Sequence, residues 1–373
     1  VQTCALPISF SQAALERQGA APDVATIVVT ESRSARAENL TGFGDVPLRE
    51  IPQSVVVLTS KDIADKGLLR LSDLTKLDPS TTESYNAVGY WDFLEVRGIV
   101  LDNLYNYRRE GLPISAETSI PLDNKDSVEI LKGTSGMQAG QSTAGGLVNY
   151  TVKRPTNKDL RSVRLEMTPR GGLLSGLDVG GRFGEDKSMG YRFNAVHETL
   201  RPALYSAQGK RDLLSLAMDK RISANTLIEG EIEVSRRTQP SQAAFSVLAN
   251  AAGTGYVLPD PVNPKINLNN QPWSQPVVMG ATTSTLKLTQ VLNDNWVMTG
   301  QLGMQQLRTD DREAFPGGCG TAYPTSYYPS FCSDGTFNIS NYDSAGERRQ
   351  LNSGKLAFKG KVQLAGLEHN VAI

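Results

Sequence analysis

The sequence has only two histidines, His197 and His369, and they lie far apart along the chain. Little material is therefore available for a histidine-based metal centre, and no metal ligands are predicted. The chain also lacks the G-x-S-x-G, P-loop, G-x-G-x-x-G and H-E-x-x-H motifs, and its carboxylates are scattered rather than clustered. We therefore predict no catalytic residues, no cofactor and no enzyme activity.

Two further absences bear on the environment of the chain. No apolar run approaches the roughly 18 residues of a transmembrane helix, so none is predicted. The formal net charge is −1, which argues against a nucleic-acid partner. A membrane barrel stays possible, because its strands alternate lipid-facing and lumen-facing residues and look soluble on average.

The second part of the chain has the pattern of such strands. In Arg161–Met167, the side chains of Val163, Leu165 and Met167 fall on one face and charged residues on the other. Strand-like segments recur from there on, at 161–169, 173–184, 188–199, 211–221, 225–237, 283–292, 295–308, 350–364 and 366–373. Period-2 patterning over such lengths suits tilted transmembrane strands.

The connections between these segments are alternately short and long. The short ones are 184–188, 223–226, 292–295 and 365–367, and the long ones are 200–210, 238–282 and 309–349. Outer-membrane barrels have short turns at one end and long loops at the other. A soluble β-sandwich with large insertions is the alternative, although mostly short turns would be expected there.

Residues 47–155 are predicted to form a compact α+β unit. Strands are expected at 55–58, 94–98 and 105–110, and a second helical segment at 71–77. Ser60 is a candidate N-cap for a helix over 61–66. Residues 127–155 read as two strands around a loop with five glycines, a density that predicts close packing of backbone against the loop.

Four segments, in order, carry a resemblance to a known family. They are ATIVVTES at 25–32, IPQSVVVLTSKD at 51–62, LEVRGI at 94–99 and VEILKGTSGMQAGQSTAGGLVNYTVKRP at 128–155. Together they resemble the plug region of bacterial TonB-dependent outer-membrane receptors, in particular the siderophore receptors. Thr134 and Gln138–Gly140 depart from the family pattern, which affects the subgroup more than the family.

The resemblance implies an α+β plug domain at 47–155, followed by antiparallel transmembrane β-barrel strands at 156–373. Plugged transporters have about 22 strands, so the nine segments predict an incomplete barrel and a fragment of a longer chain. Residues 1–46 are expected to be an extension with a TonB box, and VQTCALPIS at 1–9 is set aside as foreign to the fold.

The implied function is TonB-dependent active transport of a ferric siderophore across the bacterial outer membrane. The implied partners are TonB of the inner-membrane energy complex, the ferric siderophore and outer-membrane lipid. Receptors for cobalamin or a sugar would share this architecture, whereas a passive porin would lack the plug. The siderophore already coordinates its iron, so no side chain of the protein needs to contact the metal.

The expected TonB box is a β-branched run suited to pairing with a partner's sheet edge, and the alternative is an ordinary strand of the plug. Its residues are Ala25, Thr26, Ile27, Val28, Val29 and Thr30.

Ligand-binding residues are expected at the plug apices and, with less support, in a long external loop. The apical set is Tyr85, Asn86, Tyr90, Trp91, Asp102 and Asn103, and the loop set is Phe315, Tyr323, Tyr327 and Tyr328. Tyr and Trp offer flat apolar surface with one polar group each, which suits an amphiphilic chelate. Core packing is the alternative for Trp91, and aromatics at the membrane interface are the alternative for the loop set.

The charged residues of the plug strands and the last two cysteines carry the remaining predictions. Arg97, Glu129 and Lys132 are expected either to bridge plug and barrel wall or to be solvated charges. In an exported protein a disulfide between Cys319 and Cys332 is favoured over two free thiols.

Overall fold

The computed structural model describes residues 53–84, 87–133, 142–242, 245–252, 254–319 and 330–373. The predicted TonB box lies outside these ranges, as do Tyr85, Asn86, Tyr323, Tyr327 and Tyr328. Within the described ranges, no helix is both long and apolar enough to cross a bilayer.

The described residues before Pro155 form an N-terminal unit of two small sheets and two short helices. The helices are α1 at Ser60–Asp65 and a 3₁₀ helix at Leu71–Lys76. The strands are β1 Ser54–Thr59, β2 Thr81–Glu83, β3 Leu94–Val96, β4 Ile99–Val100, β5 Tyr107–Arg109, β6 Leu112–Pro113, β7 Lys125–Lys132 and β8 Gly146–Val152. One sheet has the order β1-β7-β8-β5-β6, with β5 parallel to β8, and the other has the order β2-β3-β4.

The largest apolar core of this unit joins its separate segments. Leu74 from the 3₁₀ helix, Leu94 from β3, Ile130 from β7 and Val148 from β8 are each at most 1% exposed within it. Because these residues come from four separate segments, the core depends on the whole unit being folded.

The helix cap differs from the prediction by one residue. Thr59, not Ser60, is the N-cap of α1: its hydroxyl accepts a hydrogen bond from the Asp62 amide at 3.2 Å. The Asp62 carboxylate in turn accepts from the Thr59 amide at 3.1 Å. This reciprocal capping box satisfies two amides that the first helical turn leaves free, so the helix begins one residue early.

The predicted close approach at the glycine-rich loop is present at its second end. Gly146 has φ +138°, and a Cβ built on it would lie 1.9 Å from the carbonyl oxygen of Leu131. At Gly145 a Cβ would lie 2.8 Å from the Leu101 side chain. Residues 134–141, the middle of the loop, lie outside the described residues.

The described residues after Pro155 contain one antiparallel sheet of nine strands in sequence order. They are β9 Leu160–Met167, β10 Leu173–Phe183, β11 Met189–Leu200, β12 Gly209–Ser223, β13 Thr226–Gln239, β16 Val277–Asn293, β17 Trp296–Gly317, β18 Asn338–Leu364 and β19 Leu367–Ala372. A 3₁₀ turn at Glu185–Lys187 joins β10 to β11, and a small hairpin of β14 Leu248–Ala249 and β15 Tyr256–Val257 lies in the connection from β13 to β16.

The nine strands and the short connections match the prediction closely, but the last long loop was predicted too long. β17 runs on to Gly317 and β18 already begins at Asn338, and together they form a tall hairpin. Phe315 therefore lies in β17 rather than in a loop, and its ring meets that of Tyr342 at 5.9 Å. The predicted disulfide between Cys319 and Cys332 is present beside the tip, with a Cα–Cα distance of 4.8 Å.

The two faces of the sheet have opposite chemistry. Val163, Leu165 and Met167 are 72 to 77% exposed on one face, as the alternation predicted. On the other face of β13, Glu229, Glu231 and Glu233 are buried against the N-terminal unit. Contacts to this unit extend from Asp178 on β10 to Arg349 on β18, so the sheet curves around it.

Candidate functional site

The N-terminal unit meets the curved sheet through buried ion pairs, of which Arg109 on β5 makes the most extensive. Its guanidinium donates two bonds to Glu231, both at 2.8 Å, and a third to Glu233 at 2.9 Å. All three side chains are at most 4% exposed. A bidentate guanidinium–carboxylate pair fixes both position and orientation, so Arg109 holds β5 in a defined position against β13.

Lys125, at the start of β7, completes this central charge group. Its ammonium donates to Glu233 at 2.6 Å, and the neighbouring Asn124 amide donates to the same carboxylate oxygen at 2.7 Å. Burial lowers the pKa of Lys125 to about 8, and the Glu233 carboxylate only partly offsets this. The group therefore has two cations from the N-terminal unit and two carboxylates from the sheet, which balance.

A second charge group lies around Glu110, in the tight turn after β5. Arg154 pairs with Glu110 at 3.0 Å and with Glu229 on β13 at 3.7 Å, and Lys287 on β16 pairs with Glu229 at 3.3 Å. Burial alone would favour the neutral acid, but the Arg154 charge and a hydrogen bond from the Val152 amide lower the pKa of Glu110 to about 2. Glu110 is therefore ionised at physiological pH.

Two further ion pairs extend the interface across β10 to β12. Asp123 pairs with Arg211 at 2.5 Å, and Lys153 pairs with Asp178 at 3.1 Å. Burial raises the pKa of Asp123, but the Arg211 charge outweighs it and leaves that pKa below its ordinary value. Carboxylates and cations are thus contributed by both sides of the interface.

Uncharged contacts and one partly exposed ion pair join the unit to β17 and β18. The Ser115 amide donates to the Gln305 side chain at 2.8 Å, and the Gln305 amide donates back to the Ser115 carbonyl at 3.0 Å. Glu117 pairs with Arg349 at 2.6 Å, with both side chains partly exposed.

The three charges that the sequence singled out for this interface make no hydrogen bond or ion pair with the curved sheet among the described residues. Lys132 pairs at 2.7 Å with Asp78 of its own unit. Glu129 accepts hydrogen bonds from Ser127, Asn149 and Thr151, also within the unit. Arg97 is exposed in a tight turn with φ +54°. The bridging hypothesis was wrong for these residues, because they point into or away from their own unit rather than toward the sheet.

The aromatic segment 87–93 lies against the sheet near its long connections. The Tyr90 hydroxyl donates to Asp311 on β17 at 3.0 Å, and the Tyr90 and Trp91 rings are 4.0 Å apart. Trp91 is 8% exposed and packs with Val277 and Met279 at the start of β16. The core-packing alternative thus describes the Trp91 surroundings, while Tyr90 combines an apolar face with a hydrogen bond.

Backbone contacts hold this segment in place. Gly89 has φ +87°, and a Cβ there would lie 2.4 Å from the Pro240 carbonyl oxygen, just after β13. The Gln242 amide donates to the Val88 carbonyl at 3.0 Å. The long connection after β13 therefore rests directly on segment 87–93.

Asp102 and Asn103 have structural partners. The Asp102 carboxylate accepts from the amides of Leu104 and Tyr105 at 2.8 and 3.2 Å, which closes a turn. Asn103 is 5% exposed, and its carbonyl accepts from the Ala116 amide at 2.8 Å. A role of either residue in ligand binding stays a prediction.

The tall β17–β18 hairpin is joined to the connection after β13 by backbone hydrogen bonds. The Phe331 amide donates to Val247 at 3.0 Å, and the Ala249 amide donates to Phe331 at 2.8 Å. Phe331 is buried and its ring stacks on Phe337 at 4.4 Å. The two longest connections thus form one rim, beside the disulfide.

One functional candidate, Arg237 near the end of β13, was missed at the sequence level. Among the described residues its guanidinium bonds to neutral partners, the Gln239 amide oxygen at 3.0 Å and the Ser119 hydroxyl at 3.4 Å. The signal in the sequence was Arg236-Arg237, two adjacent charges in a strand whose neighbours alternate. No three His, Cys, Asp or Glu side chains gather as metal ligands in the described part of the chain.

Comparison with known proteins agrees with this architecture. Residues 47–147 match the family profile of the TonB-dependent Receptor Plug Domain. The ferrichrome receptor FcuA of Yersinia enterocolitica is 26% identical over 271 residues, which are 70% of this chain and 34% of the receptor. The ferric-pyoverdine BN7/BN8 receptor of Pseudomonas putida is 31% identical over 163 residues, which are 40% of this chain and 19% of that receptor.

Solved structures are similar over most of the chain. The siderophore receptor PiuA from Acinetobacter baumannii has a TM-score of 0.75 at 18% identity, covering 93% of this chain and 47% of that one. FpvA of Pseudomonas aeruginosa, bound to a heterologous pyoverdine and iron, has a TM-score of 0.74 at 20% identity, covering 87% of this chain and 42% of that one. The chain thus spans about a third of the ferrichrome receptor's length and about half of these structures.

Proposed function

Because the chain carries the plug and nine consecutive wall strands of a TonB-dependent receptor, we propose that the protein containing it imports a ferric siderophore across the bacterial outer membrane. The observation that carries the proposal is the α+β unit held inside a curved antiparallel sheet by buried ion pairs. A folded unit held in the lumen would block diffusion through a passive channel.

The buried charge groups suggest how such a plug would be held and released. Each central pair has one partner on the plug and the other on the wall, so the contact can break without unfolding the wall. Breaking the contact separates the charges, and water entering the lumen would then hydrate them. TonB pulling on the arm at 25–30 would supply the work, by adding that segment to a sheet edge of its own.

The ligand would bind where the plug meets the rim. Tyr90 and the neighbouring Phe93 offer partly buried aromatic surface, and Arg237 offers a guanidinium with neutral partners among the described residues. An anionic ferric chelate would gain a charge-assisted hydrogen bond from Arg237. The relatives are receptors for ferrichrome and ferric pyoverdine, which supports the siderophore class without naming the compound.

The experiment is iron-limited growth of a receptor-deletion strain that carries the full-length gene and is fed one purified ferric chelate at a time. Growth on at least one chelate, absent from the deletion strain, is the expected result. Uptake of cobalamin or a sugar with no response to any chelate would replace the siderophore with another scarce solute.

Coupling to TonB has its own test. Val28→Pro removes an amide donor and the strand geometry from the predicted box. Chelate binding should survive in this variant while uptake is lost. Normal uptake would place the coupling segment elsewhere.

A further inference from the structure

The outward face of the sheet changes character along β13. Ile228, Ile232 and Val234 point outward and are 38 to 47% exposed, as expected of side chains facing lipid. The next outward residue toward the long connection is Arg236, which is exposed. The apolar band on this strand therefore ends at an arginine.

The register of the sheet places further arginines in line with Arg236. Arg236 is opposite Gly280 on β16, Gly280 is opposite Arg308 on β17, and Arg308 is opposite Arg348 on β18. Neighbouring strands lie about 4.8 Å apart, so the three arginines start within about 15 Å of one another. At Gly280 a Cβ would meet only the Arg308 carbonyl, at 3.8 Å, so the row is open in its middle.

Few acidic or hydrogen-bonding groups in the described part of the protein lie close enough to neutralise these three guanidiniums. Arg236 and Arg348 make no side-chain hydrogen bond or ion pair with any residue that the structure describes. Arg308 approaches Asp310 only at 3.8 Å and its side chain is 63% exposed. The other nearby acid, Asp212, lies opposite Arg236 and bonds to His197 at 2.7 Å.

A cavity of about 250 Å³ opens on the same face one step above the row. Thr238, Val278 and Asp310 form its floor, as the next outward residues on their strands, and Arg312 and Gln275 form part of its wall. On the other side of the row, Thr282, Gln306 and Gln350 also point outward. The arginines thus lie within a polar patch, above the apolar residues that β13 presents on the same face.

We propose that this outward patch, centred on Arg236, Arg308 and Arg348, binds the phosphorylated headgroup of a lipid in the outer leaflet. Guanidiniums match phosphate oxygens in charge and in bidentate geometry. The end of the apolar band is the depth at which headgroups lie. The proposal rests on the outer-membrane placement given above, but not on which chelate is carried.

The test uses the full-length receptor, purified in detergent and incubated with purified lipid A, a phosphorylated glycolipid, before native mass spectrometry. The variant is the triple substitution R236Q/R308Q/R348Q. At about 1 kcal/mol for each arginine near an anionic headgroup, its affinity for lipid A should fall by about a hundredfold. The matched control is Lys220→Gln, an exposed cation on β12 near the short-turn end, which should bind as the wild type does.

Two further ligands, dephosphorylated lipid A and inorganic phosphate, test whether the phosphate of a lipid is what the patch binds. Dephosphorylated lipid A should bind wild type and triple variant equally weakly, and inorganic phosphate should not displace the lipid at millimolar concentration. Equal retention of lipid A by the triple variant, or displacement by free phosphate, overturns the proposal. If the triple variant does not fold, as judged by its heat-modifiable gel mobility, the single variants R308Q and R348Q replace it, with R308K and R348K retaining part of the binding. Ferric-chelate binding, measured in parallel, should be unchanged, which separates this proposal from the proposed transport function.

Discussion

Replacing Glu233 by glutamine tests whether the central charge group locks the plug in the lumen. One oxygen of Glu233 accepts from Arg109 at 2.9 Å, from Lys125 at 2.6 Å and from Asn124 at 2.7 Å. In Glu233→Gln the two cations share one carboxylate, Glu231, and one positive charge is left buried and uncompensated.

The structure sets the size of the effect. Lys125 is 0% and Glu233 4% exposed, so solvent screens the pair little. Removing one partner of such a pair costs about 3–5 kcal/mol, which corresponds to a rise of about two to four orders of magnitude in the population of the released plug. Hydrogen exchange of the β7 and β8 amides in the full-length receptor reports this population, and those amides should exchange faster by that factor.

Two variants complete the design. Glu368→Gln removes a carboxylate of the same type from an exposed pair with Lys361 and should leave exchange in the plug unchanged. Adding Lys125→Met to Glu233→Gln removes the uncompensated cation and should restore much of the protection. The reasoning is refuted if exchange in β7 and β8 of Glu233→Gln stays within threefold of the Glu368→Gln control.

Three other predictions concern single residues. Glu110 has a pKa of about 2 in the fold and about 4.5 when unfolded, so its ionisation contributes up to about 3 kcal/mol to the stability of the plug above pH 4.5, and this contribution is lost as the pH falls toward 2. Hydrogen exchange of the plug, measured across an acid titration, should show this loss, and the Glu110→Gln variant should show a flatter pH profile. Gly146→Ala places a Cβ 1.9 Å from a carbonyl oxygen and should prevent plug folding, whereas Gly133→Ala, with φ +96° and open space, should cost only about 1–2 kcal/mol; equal proteolytic resistance of the two plugs would contradict this. Arg237→Gln should weaken binding of an anionic ferric chelate by about tenfold in a fluorescence-quenching titration, while Arg236→Gln, on the outward side, should leave it unchanged.

The strands were predictable from the sequence because their signal is local. The alternation of Val163, Leu165 and Met167 with charged residues follows from one face meeting lipid, and each strand shows it independently. The same rule explains the error at the tall hairpin. Toward the tip of the hairpin both faces of β17 are polar, with Arg312 on the outward face and Asp311 and Glu313 on the inward face, so the alternation disappears while the strand continues.

The interface could not be predicted because its partners are distant in sequence. Arg109 and Glu231 are 122 residues apart, and their pairing depends on the register of two separate sheets. Arg97, Glu129 and Lys132 carried the family motif, but a motif does not reveal which side of its strand faces the wall. The Thr59 cap was predictable, since Thr59 and Asp62 have the Thr-x-x-Asp spacing of a capping box at the start of the helix.

The three glutamates on the inner face of β13 have a consequence for the transport path proposed above. Arg109 and Lys125 neutralise Glu231 and Glu233 only while the plug is seated, whereas Glu229 is shared between Arg154 of the plug and Lys287 of the wall. Once the plug cations withdraw, the strand presents a column of carboxylates to the entering water, in which Glu231 and Glu233 are bare and Glu229 keeps its pair with Lys287. An anionic cargo would be repelled from that column rather than held by it, so the wall exposed by opening is one to which such a cargo does not adhere.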